Sequence, residues 1–182
     1  MVAYLAAAVV LVSVLCVANL ALTLALIRSM RHQSQARAAS GFPELGLLPR
    51  GAKAPEFAAT TVDGEARSLA DLLGARSVVG FFSVRCPPCR VQLPKFADFA
   101  RTFPGGPAQV LAVVTGDPAL AGEFADALAG AASVVVEDRG GPVSTAFSLA
   151  ASPVFYVLDE RGYIQVGAPA VQMVASHAHE LV

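Results

Sequence analysis

No charged residue occurs before Arg28; all 27 Asp, Glu, Lys and Arg residues of this 182-residue chain lie at that position or beyond it. Cysteine and histidine are scarce, with three of each, tryptophan is absent, and no internal repeat is visible. The first 27 positions hold 24 of the roughly 100 hydrophobic residues, and the other 155 are about 49% hydrophobic, an ordinary globular fraction. The high mean hydropathy therefore comes from one N-terminal block joined to a domain of soluble composition. A multi-span transporter, a disordered chain and a collagen-like repeat are excluded. About 130 residues remain beyond the block and its linker, enough for one well-buried core and too few for two.

Residues 3–27 run without a charge, interrupted only by Ser13, Asn19 and Thr23. As a helix, this block is about 37 Å long, enough to cross a ~30 Å hydrocarbon core with some tilt. A cleaved signal peptide would begin with a basic residue and have a shorter apolar stretch. Here no Lys or Arg precedes the block. Cys16 follows Leu15 and lacks the small residues of a lipoprotein box, so it reads as a small apolar residue facing lipid or a partner helix. Residues 1–27 are expected to form a retained single-pass anchor in the bilayer.

Residues 28–50 read as a basic, flexible linker of Ser, Gly, Ala and Pro without clear periodicity. Arg28, Arg31, Arg37, Arg50 and Lys53 against Glu44 give residues 28–53 a net charge of +4, whereas residues 54–182 carry −5. The basic cluster fits anionic headgroups beside the span. A nucleic-acid role would need a basic domain face, and the domain is acidic. By the positive-inside rule, arginines after the span keep the C-terminal side in the cytoplasm.

Residues 51–182 read as the folded domain. Asp63-Gly64 is a hairpin turn signal after the extended segment Ala54-Pro55-Glu56-Phe57. Ser68 and Asp71 cap a short helix that stops at Gly74. Apolar runs at 77–83 and 109–115 suit buried strands. Residues 87–103 read as a helix with Val91, Leu93, Phe96 and Phe99 available for its buried face. Asp117-Pro118 caps a helix to about 129, with Leu120, Phe124 and Leu128 spaced by four. Residues 133–136 form a third strand and 143–149 a helical turn. Strands at 154–158 and 163–166 flank the turn Asp159-Glu160-Arg161-Gly162, and a last helix spans 171–181. The expected fold is a three-layer α/β domain with a mixed sheet.

Cys86-Pro87-Pro88-Cys89 follows a strand and opens a helix. Two thiols three residues apart on a first helical turn lie close enough for a disulfide to form and reopen. The helix N-terminus favours a thiolate, and Arg85 adds a full positive charge beside Cys86. Cys86 is then the exposed attacking sulfur, and Cys89, one turn deeper, resolves the mixed disulfide. A permanent staple over so short a loop would stabilise little. A zinc or copper site would need two further ligands, for which only His32, His177 and His179 are histidine candidates. Neither cysteine has both a Pro seven residues before it and a Thr or Ser three before, as a thiol peroxidase would.

Gly51-x-x-Ala54-Pro55-Glu56-Phe57, Asp63-Gly64, Phe81-Phe82-Ser83, Cys86-Pro87-Pro88-Cys89, Leu93-Pro94 and Ser152-Pro153 before a strand together resemble the thioredoxin superfamily. Within it, the set is most similar to the membrane-anchored TlpA-like disulfide reductases and their MauD-like subgroup. The resemblance covers residues 51–166. It implies a thioredoxin-like fold in which Pro94 kinks the active-site helix. It also implies that Pro153 is cis and faces the disulfide, where it aligns the substrate backbone.

Three departures accompany the match: Arg85 stands where the family often has Trp, and Gly80 and Gln92 stand where buried acids move the proton of the deeper thiol. Slow resolution by Cys89 is expected, and Gln92→Glu should speed turnover. The expected function is a membrane-tethered thiol–disulfide oxidoreductase, acting as a reductase on protein thiols and disulfides. Cys86, Cys89, Arg85 and Pro153 form its site. It needs no bound cofactor and takes electrons from a membrane-embedded or soluble dithiol donor. The resemblance places the catalytic domain outside the cytoplasm, and the disulfide chemistry is weighed above the three arginines. A non-catalytic docking or assembly module on the same scaffold is the alternative, followed by a metallochaperone.

Overall fold

The computed structural model describes Met1 and residues 47–180. The expected anchor and most of the linker fall outside the described residues. Among the described residues, no helix is long and apolar enough to cross a membrane.

Among these residues, seven strands and four α-helices follow in order. The hairpin β1 (Ala58–Thr60) and β2 (Ala66–Ser68) leads into a 3-10 turn at Leu69–Leu72. Then come β3 (Ser77–Ser83), α1 (Pro87–Thr102), β4 (Val110–Thr115), α2 (Pro118–Leu128) and β5 (Ser133–Glu137). The chain ends with α3 (Pro142–Ala146), β6 (Val154–Leu158), β7 (Ile164–Ala168) and α4 (Val171–Glu180).

The five-stranded sheet runs β5-β4-β3-β6-β7. Strands β3, β4 and β5 are parallel, joined by helical crossovers, and β6 and β7 are antiparallel additions. This is the mixed sheet expected from the order of elements.

Both faces of the sheet are covered, and the pleat sorts the side chains between them. Val78, Phe82, Ala112, Val114, Phe155 and Val157 pack with Leu93, Phe96, Phe124 and Val174 of the helices α1, α2 and α4. Val79, Phe81, Leu111, Val113, Tyr156 and Leu158 face the hairpin side, against Phe57, Leu69, Leu72 and Phe147. The three layers are thus a coat of α1, α2 and α4, the sheet, and a coat made by the hairpin side with α3.

Two of the sequence expectations are corrected. Val91 is 58% exposed; the buried stripe of α1 is Cys89, Leu93, Phe96, Ala97 and Ala100. Leu120 is 46% exposed, and α2 buries Ala121, Phe124 and Leu128 instead. Leu47 and Leu48, placed by sequence in the linker, pack against the hairpin-side core, and Leu48 N–H donates to Tyr156 Oη at 3.1 Å. Gly167 permits this arrangement, since a Cβ there would stand 2.7 Å from the Tyr156 ring.

Candidate active site

Strand β3 is fully buried through Phe82 and ends at Ser83, so the chain emerges at the C-terminal edge of the central strand. In parallel α/β sheets this edge is where crossovers leave room for chemistry. Val84 stays buried, Arg85 turns outward, and Cys86 caps α1. Pro87 and Pro88 occupy the first two helical positions, favoured by their fixed φ but without N–H groups. The first amide available at this helix end is therefore Cys89 N–H, which donates to Cys86 Sγ at 3.2 Å. The sulfur takes the place that a Ser or Asp oxygen occupies in an ordinary N-cap. Pro94 lies inside α1 and contributes no N–H to the helical ladder.

Cys86 is half-buried and Cys89 fully buried, and both are free thiols. Cys89 Sγ accepts the Ser83 N–H at 3.4 Å. Burial pushes the Cys89 thiol up to about 12, and its hydrogen bond with Cys86 adds to the shift. Across from the pair, the Ser152–Pro153 peptide is cis, Pro153 is buried, and Ser152 C=O accepts from Cys86 Sγ at 3.2 Å. The loop before β6, distant in sequence, thus meets the sulfur directly. Sequence analysis named Ser152 in the motif Ser152-Pro153 but gave the site role to Pro153 alone.

The two positions lacking acids are filled in specific ways. A Cβ at Gly80 would lie 2.8 Å from the Phe96 ring and 3.2 Å from Phe155. Phe82, Phe96 and Phe155 pack there with ring centroids 5.3–5.5 Å apart. The space beneath the active-site helix is therefore apolar and closed to a carboxylate. Gln92 joins two helices instead, since its Oε1 accepts the N–H of Val171, the first residue of α4, at 3.1 Å. Arg85 is exposed and makes no ion pair or hydrogen bond among the described residues. It borders a cleft of about 560 Å³ together with Asp117, Asp138 and Arg139.

Among the described residues, no group of three His, Cys, Asp or Glu side chains converges as a metal site. His177 sits exposed on α4, with Nδ1 3.2 Å from Met173 C=O; His32 lies outside the described residues, as does the side chain of His179.

The model of the AhpC/TSA family matches residues 50–166, which contain β1 to β6 and most of β7. The chain belongs to the AhpC/TSA family. Among curated relatives of this AhpC/TSA chain is the thioredoxin-like protein YneN of Bacillus subtilis, 29% identical over 129 residues, covering 67% of this chain and 72% of the relative. Another is the thiol-disulfide oxidoreductase ResA of Geobacillus kaustophilus, 27% identical over 125 residues, 68% and 71% of the two chains. The thioredoxin domain of a thiol-disulfide oxidoreductase from Bacteroides vulgatus superposes with a TM-score of 0.63 at 18% identity, covering 74% of this chain and 99% of that one. A thiol:disulfide interchange protein of Chlorobium tepidum gives 0.58 at 21% identity, covering 74% and 97%. The fold is accordingly the thioredoxin-like one. In this AhpC/TSA chain the Cys86–Cys89 pair stands at the head of α1.

Proposed function

We propose that the protein is a membrane-tethered thiol–disulfide oxidoreductase of the TlpA-like, MauD-like kind, working as a reductase on protein disulfides outside the cytoplasm. The observation that carries the chemistry is the Cys86 sulfur at the N-cap of α1, holding the Cys89 N–H on one side and facing the Ser152 carbonyl on the other. A negative charge on Cys86 is stabilised by that amide and by the positive end of a 16-residue helix. Its half-exposed position leaves it open to an incoming disulfide, whereas Cys89 is fully buried. Relatives named thiol-disulfide oxidoreductases support the same activity class.

In the proposed reaction, Cys86 thiolate attacks one sulfur of the substrate disulfide. The Cys86–substrate S–S bond forms, the substrate bond breaks, and the departing sulfur takes a proton. Cys89 then loses its proton and attacks Cys86 Sγ, releasing the second substrate thiol and leaving an oxidised pair. A dithiol donor returns both electrons. Pro153 and Ser152 border the approach, and Arg85 adds positive charge beside the attacking sulfur. Tethering rests on the uncharged stretch of residues 3–27.

The Cys86→Ser variant should lose reduction of a model protein disulfide by at least about a thousandfold, since among the described residues no other thiol stands at a helix N-cap. Retained activity in that variant would remove the proposal.

A further inference from the structure

Beside Cys86 lies a second cleft of about 290 Å³, separate in lining from the larger one except at Ser83 and Arg139. Ser152, whose carbonyl accepts from Cys86 Sγ, forms part of its wall, so one residue links the cleft to the sulfur. The remaining wall includes Thr115, Arg139 and Ser144. The two clefts differ in charge. Asp117 and Asp138 border the larger one together with Arg85 and Arg139, a balanced set of charges. The smaller has Arg139 as its one charged lining residue among those described.

Arg139 is exposed and has no ion pair or hydrogen bond among the described residues. Ser144 is 6% exposed, and its buried Oγ has no hydrogen-bond partner among the described residues. The nearest buried acid, Glu137, is engaged with backbone: its two carboxylate oxygens accept the N–H groups of Val143 and Ser144 at 3.1 and 2.8 Å. The exposed Arg139 guanidinium in the wall of this cleft is complementary to a carboxylate, which accepts from it, and the Ser144 hydroxyl lies buried behind the same wall.

We propose that this cleft binds a carboxylate held a few bonds from the substrate's disulfide sulfur, so that the protein prefers anionic disulfides. The inference rests on the exchange chemistry of Cys86 proposed above and names its substrate class. Two sources carry that chemistry: a small carboxylate-bearing disulfide, and an acidic residue beside a cysteine in a protein. In either case Cys86 forms the mixed disulfide with the sulfur nearest the carboxylate, and the other sulfur leaves as a thiol. Cys89 completes the two-electron reduction, and a dithiol reductant restores the pair.

The test uses the full chain in detergent with dithiothreitol as reductant. Turnover is measured with dithiodipropionate and with the neutral bis(2-hydroxyethyl) disulfide, and separately with peptide disulfides carrying Glu or Gln beside the cysteine. The anionic-to-neutral ratio in kcat/KM should exceed one, fall about fivefold in Arg139→Gln, and recover in part in Arg139→Lys. A preference confined to the small pair assigns the cleft to small disulfides, and one seen with the peptides assigns it to acidic protein segments. A ratio of one in both pairs, or one that Arg139→Gln leaves unchanged, overturns the inference while exchange by Cys86 stands. No reaction with any of these disulfides would instead remove the function on which it rests.

Discussion

The buried cysteine should set the pace of the proposed cycle. With its thiol pushed up to about 12 by burial, Cys89 holds a thiolate fraction of roughly 10⁻⁵ at pH 7. Burial, the largest cause, persists when Cys86 is held in a mixed disulfide, so resolution should keep accelerating as pH rises beyond the ordinary thiol value of 9.0. A plateau at an ordinary thiol value in stopped-flow measurements would contradict this. The same proton bears on stability. A cysteine is charged when deprotonated, so a folded value above the ordinary 9.0 means that the folded chain binds this proton more tightly than the unfolded chain. The stability it contributes is whole below about pH 9 and is lost as pH rises through about 12. Denaturant midpoints of the reduced protein should fall more steeply above pH 9 than those of Cys89→Ser; parallel curves would sink the assignment.

Gly80 is the companion case. Its absence of a side chain was visible in sequence as a missing acid, but the reason was not, because Phe96 and Phe155 come from other elements to occupy the space. Gly80→Asp should cost at least about 2 kcal/mol in urea unfolding through overpacking and burial of a carboxylate. Unchanged stability would show that the aromatic cluster yields easily.

At the scale of elements, caps and apolar runs were the legible signals. Asp117-Pro118 marks the start of α2, and Asp117 Oδ1 does accept the Ala119 N–H at 2.9 Å. Asp117→Ala should lower stability by about 1 kcal/mol, read as a shift in thermal midpoint. The strand 77–83 was legible from its unbroken apolar run, since a central parallel strand is buried on both faces. Which stripe of a helix turns inward was less legible. Val91 stands two positions from both Cys89 and Leu93, about 200° around the helix from either, and a hydrophobic residue there has no core to enter. Leu120 fits the four-residue spacing to Phe124, yet Ala121 holds the buried place in that first turn. Local pattern counts apolar residues, whereas the facing surface decides among them.

The hydrogen bond that ties α1 to α4 joins two residues 79 apart and left no sequence signature. Gln92→Ala should lower stability by about 1 kcal/mol by orphaning the Val171 N–H, while Gln92→Glu keeps an acceptor there. The glutamate variant should also speed resolution by Cys89; an unaltered rate would show that a carboxylate at position 92 cannot reach that proton.

For the whole molecule, the sequence divides at the boundary between an uncharged block and an acidic domain, and the domain's architecture was readable from element order alone. That the Ser152-Pro153 segment faces the cysteine pair was implied by the resemblance, whereas the Cys86 hydrogen bond to the Ser152 carbonyl and the sharing of one cleft by Arg139 and Ser144 were not legible. Both depend on how the loop between β5 and β6 returns across the sheet's C-terminal edge. Placement relative to the membrane follows from a different kind of reasoning, the balance between basic residues 28–37 and the chemistry of the pair. Labelling intact cells with a membrane-impermeant thiol reagent should modify Cys86 only after mild reduction. Labelling that requires permeabilisation would place the domain in the cytoplasm, as the arginines alone suggest.

The most direct test of the central claim is to trap the intermediate. Full-length Cys89→Ser protein, reduced and then exposed to a protein disulfide, should accumulate a mixed disulfide. Peptide mapping by mass spectrometry should place that bond on Cys86. A lack of any adduct, or one confined to Cys16, would contradict attack by Cys86 and the function built on it.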